Sequence, residues 1–203
     1  RINGKTTYAM EGSIFIAGAG VQWLRDRMKF FKKAPETEKI VKSLKDNNGI
    51  YLVPAFTGLG APHWNANSRG VLSGITRDTS PKEIIRATIE AVAYQTYDLF
   101  EAMKHDGLRP KIVKVDGGMV MNNWFSQFLS DVVNVKVLRP KVQETTALGA
   151  AFMAGLHIGV YKSLKDISRN WHIDKKFSPK MSRKLRSALL EGWIKAIKRT
   201  LIN

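Results

Sequence analysis

Apolar residues recur along this chain in two rhythms, and the points where one gives way to the other mark out its elements. From Ser80 the rhythm is helical: Ile85, Ile89, Val92, Thr96, Leu99 and Met103 fall at alternating steps of four and three, a single stripe that runs on to Asp106-Gly107. Ser80 as cap, Pro81 at the first position and Glu83 three residues after the cap supply the start signals. Glu90 and Gln95 lie near the small-residue face of this helix and are expected to be structural hydrogen-bonders. Trp124, Phe125, Phe128, Leu129 and Val132 predict a second helix capped by Asn122. Leu185, Leu189, Trp193, Ile197 and Leu201 predict a last one over about 182–202, with Lys184, Arg186, Lys195 and Lys198 largely outside.

Short β-prone runs stand between these helices. Thr6 to Phe15, Tyr51 to Phe56, Ile112 to Val115 and Val135 to Leu138 read as strands; the third is expected to be covered on both faces, and the fourth to be closed by Arg139-Pro140. Asn3-Gly4 reads as a hairpin turn whose first strand is left out. Thr145 or Thr146 is expected to cap a helix carrying Ala147, Gly149, Ala150, Ala151, Ala154 and Gly155, small enough to lie close on a sheet or another helix. Strand, helix, strand, helix at this spacing predicts parallel βαβ units with right-handed crossovers. Residues 32–49 are polar and Lys-rich and predict a small surface insertion with a helix after Ala34-Pro35. One domain over 1–203 suffices.

Two corners carry the candidate chemistry. At Val115-Asp116-Gly117-Gly118 a strand ends at paired glycines and a helix begins after Asn122. Glycine lets a ligand approach the backbone, and free amides there suit a phosphate or ribose; an ordinary β-to-α turn is the other reading. Gly18-Ala19-Gly20 leads likewise into a helix bearing Gln22 and Trp23, where tight helix packing stands beside ligand contact. The loop Thr57-Gly58-Leu59-Gly60-Ala61-Pro62-His63-Trp64 lacks the Gly-Lys-Ser/Thr ending of a phosphate-binding P-loop and reads as a shaped structural loop.

Composition narrows the classes. With 203 residues, 44% hydrophobic and 25% charged, the chain can build a sizeable core. It has no cysteine, which excludes disulfides, thiolate metal sites and a cysteine nucleophile. His63, His105, His157 and His172 stand at no metal-ligand spacing, and there is no Gly-x-Ser-x-Gly elbow. The net charge of +16 is spread along the chain without an aromatic-basic module, so neither specific nucleic-acid binding nor a membrane partner is expected. A soluble, cytoplasmic protein is the expectation.

The strings Glu11-Gly12-Ser13-Ile14-Phe15, Gln22-Trp23-Leu24-Arg25-Asp26, Pro54-Ala55-Phe56-Thr57-Gly58-Leu59-Gly60-Ala61-Pro62, Val115-Asp116-Gly117-Gly118 and Glu144-Thr145-Thr146-Ala147-Leu148-Gly149-Ala150-Ala151 together resemble the C-terminal lobe of the FGGY carbohydrate kinases. The resemblance implies an α/β domain of the actin-like, ribonuclease-H-like ATPase fold: a mixed sheet flanked by helices, here without its leading strands. It implies the adenine-nucleotide side of an ATP:glycerol phosphotransferase, with a xylulose or gluconate kinase lobe, or a noncatalytic scaffold, as alternatives. By position Gly18, Gln22, Gly117, Gly118 and Asn122 become nucleotide-binding residues. ATP or ADP is the implied cofactor, with Mg²⁺ held mainly through the nucleotide and residues outside this chain. Glycerol, the proton-accepting aspartate and the phosphate loop belong in such kinases to an N-terminal half, so the isolated chain is expected to be inactive, and the completed protein to be a homo-oligomer. Met119 and Met121 stand where small residues are usual, narrowing the adenine slot.

Overall fold

The computed structural model describes residues 1, 2 and 4–202. Its centre is α3 (Pro81–His105), whose sequence signals are all realised: the Ser80 hydroxyl caps the first turn and Glu83 reaches back to the Ser80 amide at 2.9 Å. The stripe read from the sequence holds for Ile85, Ile89 and Val92, yet every residue from Ile85 to Tyr94 is buried. From Ile85 to Tyr94 the helix is therefore enclosed on all sides, and Gln95 to Met103 are all half-buried, so neither stretch shows the one-sided burial that the stripe predicts. α4 (Asn123–Val133) packs along it, α1 (Gly18–Asp26) and α2 (Glu36–Lys42) flank it, and α7 (Arg183–Leu201) closes the far side over the hairpin of β1 (Tyr51–Val53) and β2 (Val71–Ser73).

The second sheet is small and mixed, in the order β3-β4-β5. β3 (Ile112–Lys114) runs parallel to β4 (Lys136–Pro140), with α4 as the crossover, and β5 (Ile173–Phe177) returns antiparallel on the other edge. Only one parallel βαβ unit exists among the described residues, since the hairpin and the β4-β5 pair are antiparallel. β3 is not covered on both faces. It is an edge strand, and Ile112 is 53% exposed.

Other expectations are corrected by the same packing. Thr6–Phe15 forms no strand among the described residues: it has no ladder partner, and Tyr8 is 91% exposed. β-propensity describes fit to a pleated, half-covered surface, and no such surface is offered here. Asn3 lies outside the described residues; beside it Ile2 and Lys5 exchange backbone bonds of 3.0 Å. Arg139-Pro140 sits within β4 rather than after it. Neither Thr145 nor Thr146 caps α5 (Thr145–His157), whose N-cap is Glu144 without a side-chain bond. Nor does its run of small residues pack on a sheet, because Gly155 is the helix's only buried residue. The region after Tyr161 holds α6 (Leu164–Arg169) and β5 as well as α7. In α7, Trp193 and Ile197 are buried as expected while Leu185 and Leu201 are exposed. No described helix is long and apolar enough to cross a membrane.

Glu83 gives the fold a measurable pH dependence. The Ser80 hydroxyl bonded to its carboxylate draws its pKa below the usual 4.5, against a smaller opposing effect of burial. A depressed folded value means the stabilisation is present above the unfolded pKa and is lost as pH falls through the folded one. Glu83→Gln should therefore cost about 1 kcal/mol near neutrality and flatten the loss of melting temperature below about pH 4.5. Thermal melts of both proteins across that range check it; parallel curves would rule the capping box out as the source.

Candidate functional site

The two glycine corners face each other across one cavity of about 330 Å³, large enough for a small ligand. Gly18, Val21, Gln22 and Arg25 line it from α1, and Ala34, Pro35, Thr37 and Glu38 from the start of α2. Ile89 of α3 contributes with the turn Gly118–Met121 and Asn122. Of the sequence-derived candidates, Gly18, Gln22, Gly118 and Asn122 are thus brought together. Gly117 stands beside the cavity rather than in its lining, and its φ of +82° sends the chain from β3 into the turn.

The glycines divide between the two readings left open by the sequence. A Cβ on Gly20 would lie 3.0 Å from Thr88 Cγ2, so Gly20 serves the close approach of α1 to α3. A Cβ on Gly18 or Gly118 would meet nothing within 4 Å. Their bareness therefore does nothing for packing and keeps two walls of the cavity low. Gln22 is exposed and its amide makes no hydrogen bond among the described residues, which leaves both ends free for a ligand.

The floor is held from below. The turn Gly118–Met121 presents carbonyls inward, and Arg139, buried in β4, donates to Val120 O at 2.8 Å and Met121 O at 3.3 Å while pairing with Asp174 of β5 at 2.7 Å. The Ser126 hydroxyl donates to the same Val120 carbonyl at 2.9 Å, and Gly117 N–H donates to Gln143 O at 3.3 Å. Asn122 does two jobs: Oδ1 accepts from Phe125 N–H at 3.0 Å as the N-cap of α4, and Nδ2 points to Thr37 Oγ1 at 3.4 Å. Met119 and Met121 both line the cavity.

The α2 wall is what the sequence reading missed. Residues 32–49 are no loose insertion, since Thr37, Val41 and Asn47 are buried. Thr37 Oγ1 donates to Ala34 O at 2.7 Å, shaping the turn into the helix. Glu38 is pushed up by burial, but Lys42 at 2.5 Å and the bonds from Asn123 outweigh that and hold its pKa below 4.5. A carboxylate thus borders the cavity in ionised form. The clue was Val41, an apolar position four residues from Thr37 within the polar run, though nothing local marked Ala34 or Pro35 as lining. Among the described residues no group of three or more His, Asp or Glu side chains could hold a metal ion.

Residues 2–158 match the family described as the FGGY family of carbohydrate kinases, C-terminal domain. The chain belongs to this family. Over 199 residues it is 53% identical to glycerol kinase 1 of Pseudomonas aeruginosa, and over 200 residues 54% identical to glycerol kinase of Alcanivorax borkumensis. Each match takes in 98% of this chain and 40% of the relative, so the chain spans about two fifths of the length of these curated relatives. The structure of Plasmodium falciparum glycerol kinase with ADP superposes with a TM-score of 0.85 at 37% identity, covering 95% of this chain and 38% of that one. Xylulose kinase of Lactobacillus acidophilus, 23% identical over 92% of this chain and 38% of its own, shares the fold at a TM-score of 0.76. The fold is thus the α/β, actin-like lobe of the FGGY kinases.

Proposed function

We propose that this chain is the nucleotide-side lobe of an ATP-dependent glycerol kinase, which transfers the terminal phosphoryl group of ATP to glycerol. The observation that carries the reading is the convergence of Gly18, Gln22, Gly118 and Asn122 on one cavity, with two bare glycine walls that the chain's own packing does not need. Relatives more than 50% identical named as glycerol kinases favour glycerol over xylulose or gluconate, whose kinases match at 19–23%.

In this reading Gly118 and Asn122 border the adenosine, Gln22 reaches the sugar or phosphates, and the first amides of α1 face negative charge. Mg²⁺ would travel on the phosphates of ATP, since no cluster of three or more His, Asp or Glu side chains is gathered among the described residues. Phosphoryl transfer relies on positioning and charge stabilisation between two lobes. The acceptor pocket and its proton-accepting base belong, on this proposal, to an N-terminal lobe of the kind that fills the rest of the relatives' length. Such an enzyme draws on cytoplasmic ATP, and the cytoplasm is where we place it.

Calorimetric titration of the chain with ADP tests the nucleotide half. Gly118→Val should leave the melting temperature nearly unchanged, because its side chain enters open space, and weaken ADP at least about tenfold, or about 1.4 kcal/mol. Asn122→Asp keeps the α4 cap but sets a negative charge in the cavity, and should weaken ADP as well. Unchanged affinity in both variants would reject this cavity as the nucleotide site. Glycerol-dependent ADP formation should appear only when an N-terminal lobe is supplied.

A further inference from the structure

Gly18, Val21, Gln22 and Arg25 line the cavity at steps of three and four, so they share one face of α1. The cavity changes character along that face. At Gly18 it meets the first turn of the helix, whose N-cap Ala17 has no side chain able to accept; the Gly20 amide donates to Ala17 O at 3.1 Å, and the amides of Gly18 and Ala19 before it suit an anion. Seven residues on, about 10.5 Å along the axis at 1.5 Å per residue, it meets Arg25. That separation suits a nucleoside diphosphate laid lengthwise, phosphates at one end and base at the other.

Arg25 is held in an unusual way for a phosphate anchor. Its Nε donates to Asp26 Oδ1 at 2.7 Å and its Nη2 to Asp26 Oδ2 at 2.8 Å, a two-bonded pair with the next residue in the chain. Two parallel bonds fix the guanidinium plane, and the carboxylate offsets its charge. What remains is a flat, weakly hydrated surface of the kind that stacks on heterocyclic bases. The apolar lining from Val21, Ala34, Pro35 and Met121 suits the same occupant.

We infer that Arg25, its plane fixed by Asp26, stacks on the purine base of a nucleotide lying along α1 with its phosphates toward Gly18. The inference rests on the nucleotide reading above, keeps its orientation of the ligand, and adds a base-contacting residue.

NMR titration of the chain with three probes, adenosine, ADP and inorganic pyrophosphate, separates contact with the base from attraction to the phosphates. Arg25→Ala should weaken adenosine and ADP by the same factor, about five- to tenfold, and leave pyrophosphate unchanged. Arg25→Lys, which keeps the charge without the plane, should recover only part of the loss, and Asp26→Ala should show a smaller loss of the same pattern. Melting temperatures should stay put, since the pair lies on the surface. Loss confined to ADP and pyrophosphate would overturn the stacking role in favour of a charge role, and full affinity for all three probes in Arg25→Ala would remove Arg25 from the site. Failure of the unaltered chain to bind either adenosine or ADP would instead sink the nucleotide reading, and this inference with it.

Discussion

Replacing Glu90 with alanine is expected to lower the free energy of unfolding by about 3–5 kcal/mol, among the largest losses a single side chain of this molecule can produce. Glu90 is fully buried, and its carboxylate accepts from Arg86 Nε at 2.7 Å, from Tyr94 OH at 3.0 Å and from Asn47 Nδ2 at 3.0 Å. Burial presses its pKa upward and Arg86 opposes that. Without Glu90, Arg86 keeps its bond to Leu44 O at 2.7 Å and its place 5.0 Å over the Trp124 ring, but its charge stays enclosed and unmatched. The double variant Glu90→Leu with Arg86→Met should lose less than the two single changes added together, because it leaves no unmatched charge. Denaturant midpoints of the three variants decide the matter; a Glu90→Ala loss no bigger than that of a surface substitution would refute the network's role.

Trp193→Ala is expected to cost a similar amount, about 3–5 kcal/mol. The indole is fully buried, stacks on Tyr94 with ring centres 5.3 Å apart, and donates Nε1–H to Asp98 at 2.7 Å. Its neighbour Gly192 lets α7 press against β1, since a Cβ there would stand only 2.2 Å from the Tyr51 hydroxyl. Trp193→Phe should retain the stack but remove the 2.7 Å indole donor from Asp98, leaving it only the longer contact with His63 Nε2 at 3.5 Å, for a loss of about 1–3 kcal/mol. Urea titrations will distinguish the two variants, and equal losses would mean that the indole hydrogen bond contributes nothing. Because Tyr94 touches both Glu90 and Trp193, the two large effects should not add.

What could be read in advance follows the range of the forces involved. α3, α4 and α7 were legible because caps and apolar spacing act within a few residues, and Ser80, Glu83 and Asn122 do in the structure what their positions predict. The two glycine corners were legible for the same reason, and four of the five candidate residues line one cavity. The α2 wall was not, because Thr37 and Glu38 gain their meaning only from Asn122 and Asn123, 85 residues away in sequence. Arg139 looked like the end of a strand; its work is to gather carbonyls from the turn 18 and 19 residues earlier. Thr6–Phe15 failed in the opposite sense, since its β-forming residues find no neighbouring strand. β5 escaped notice because Ile173 to Lys176 are all exposed and leave no alternation to detect.

α5 differs from every other helix of comparable length in what keeps it ordered. Its 13 residues bury only Gly155, against the ring of Tyr161. A helix of that size in water stands near the limit at which backbone propensity alone sustains it, and the alanines and leucines of 145–157 supply that propensity where packing does not. Opening this segment therefore exposes little new apolar surface, and it will fray and re-form many times for each excursion of α3.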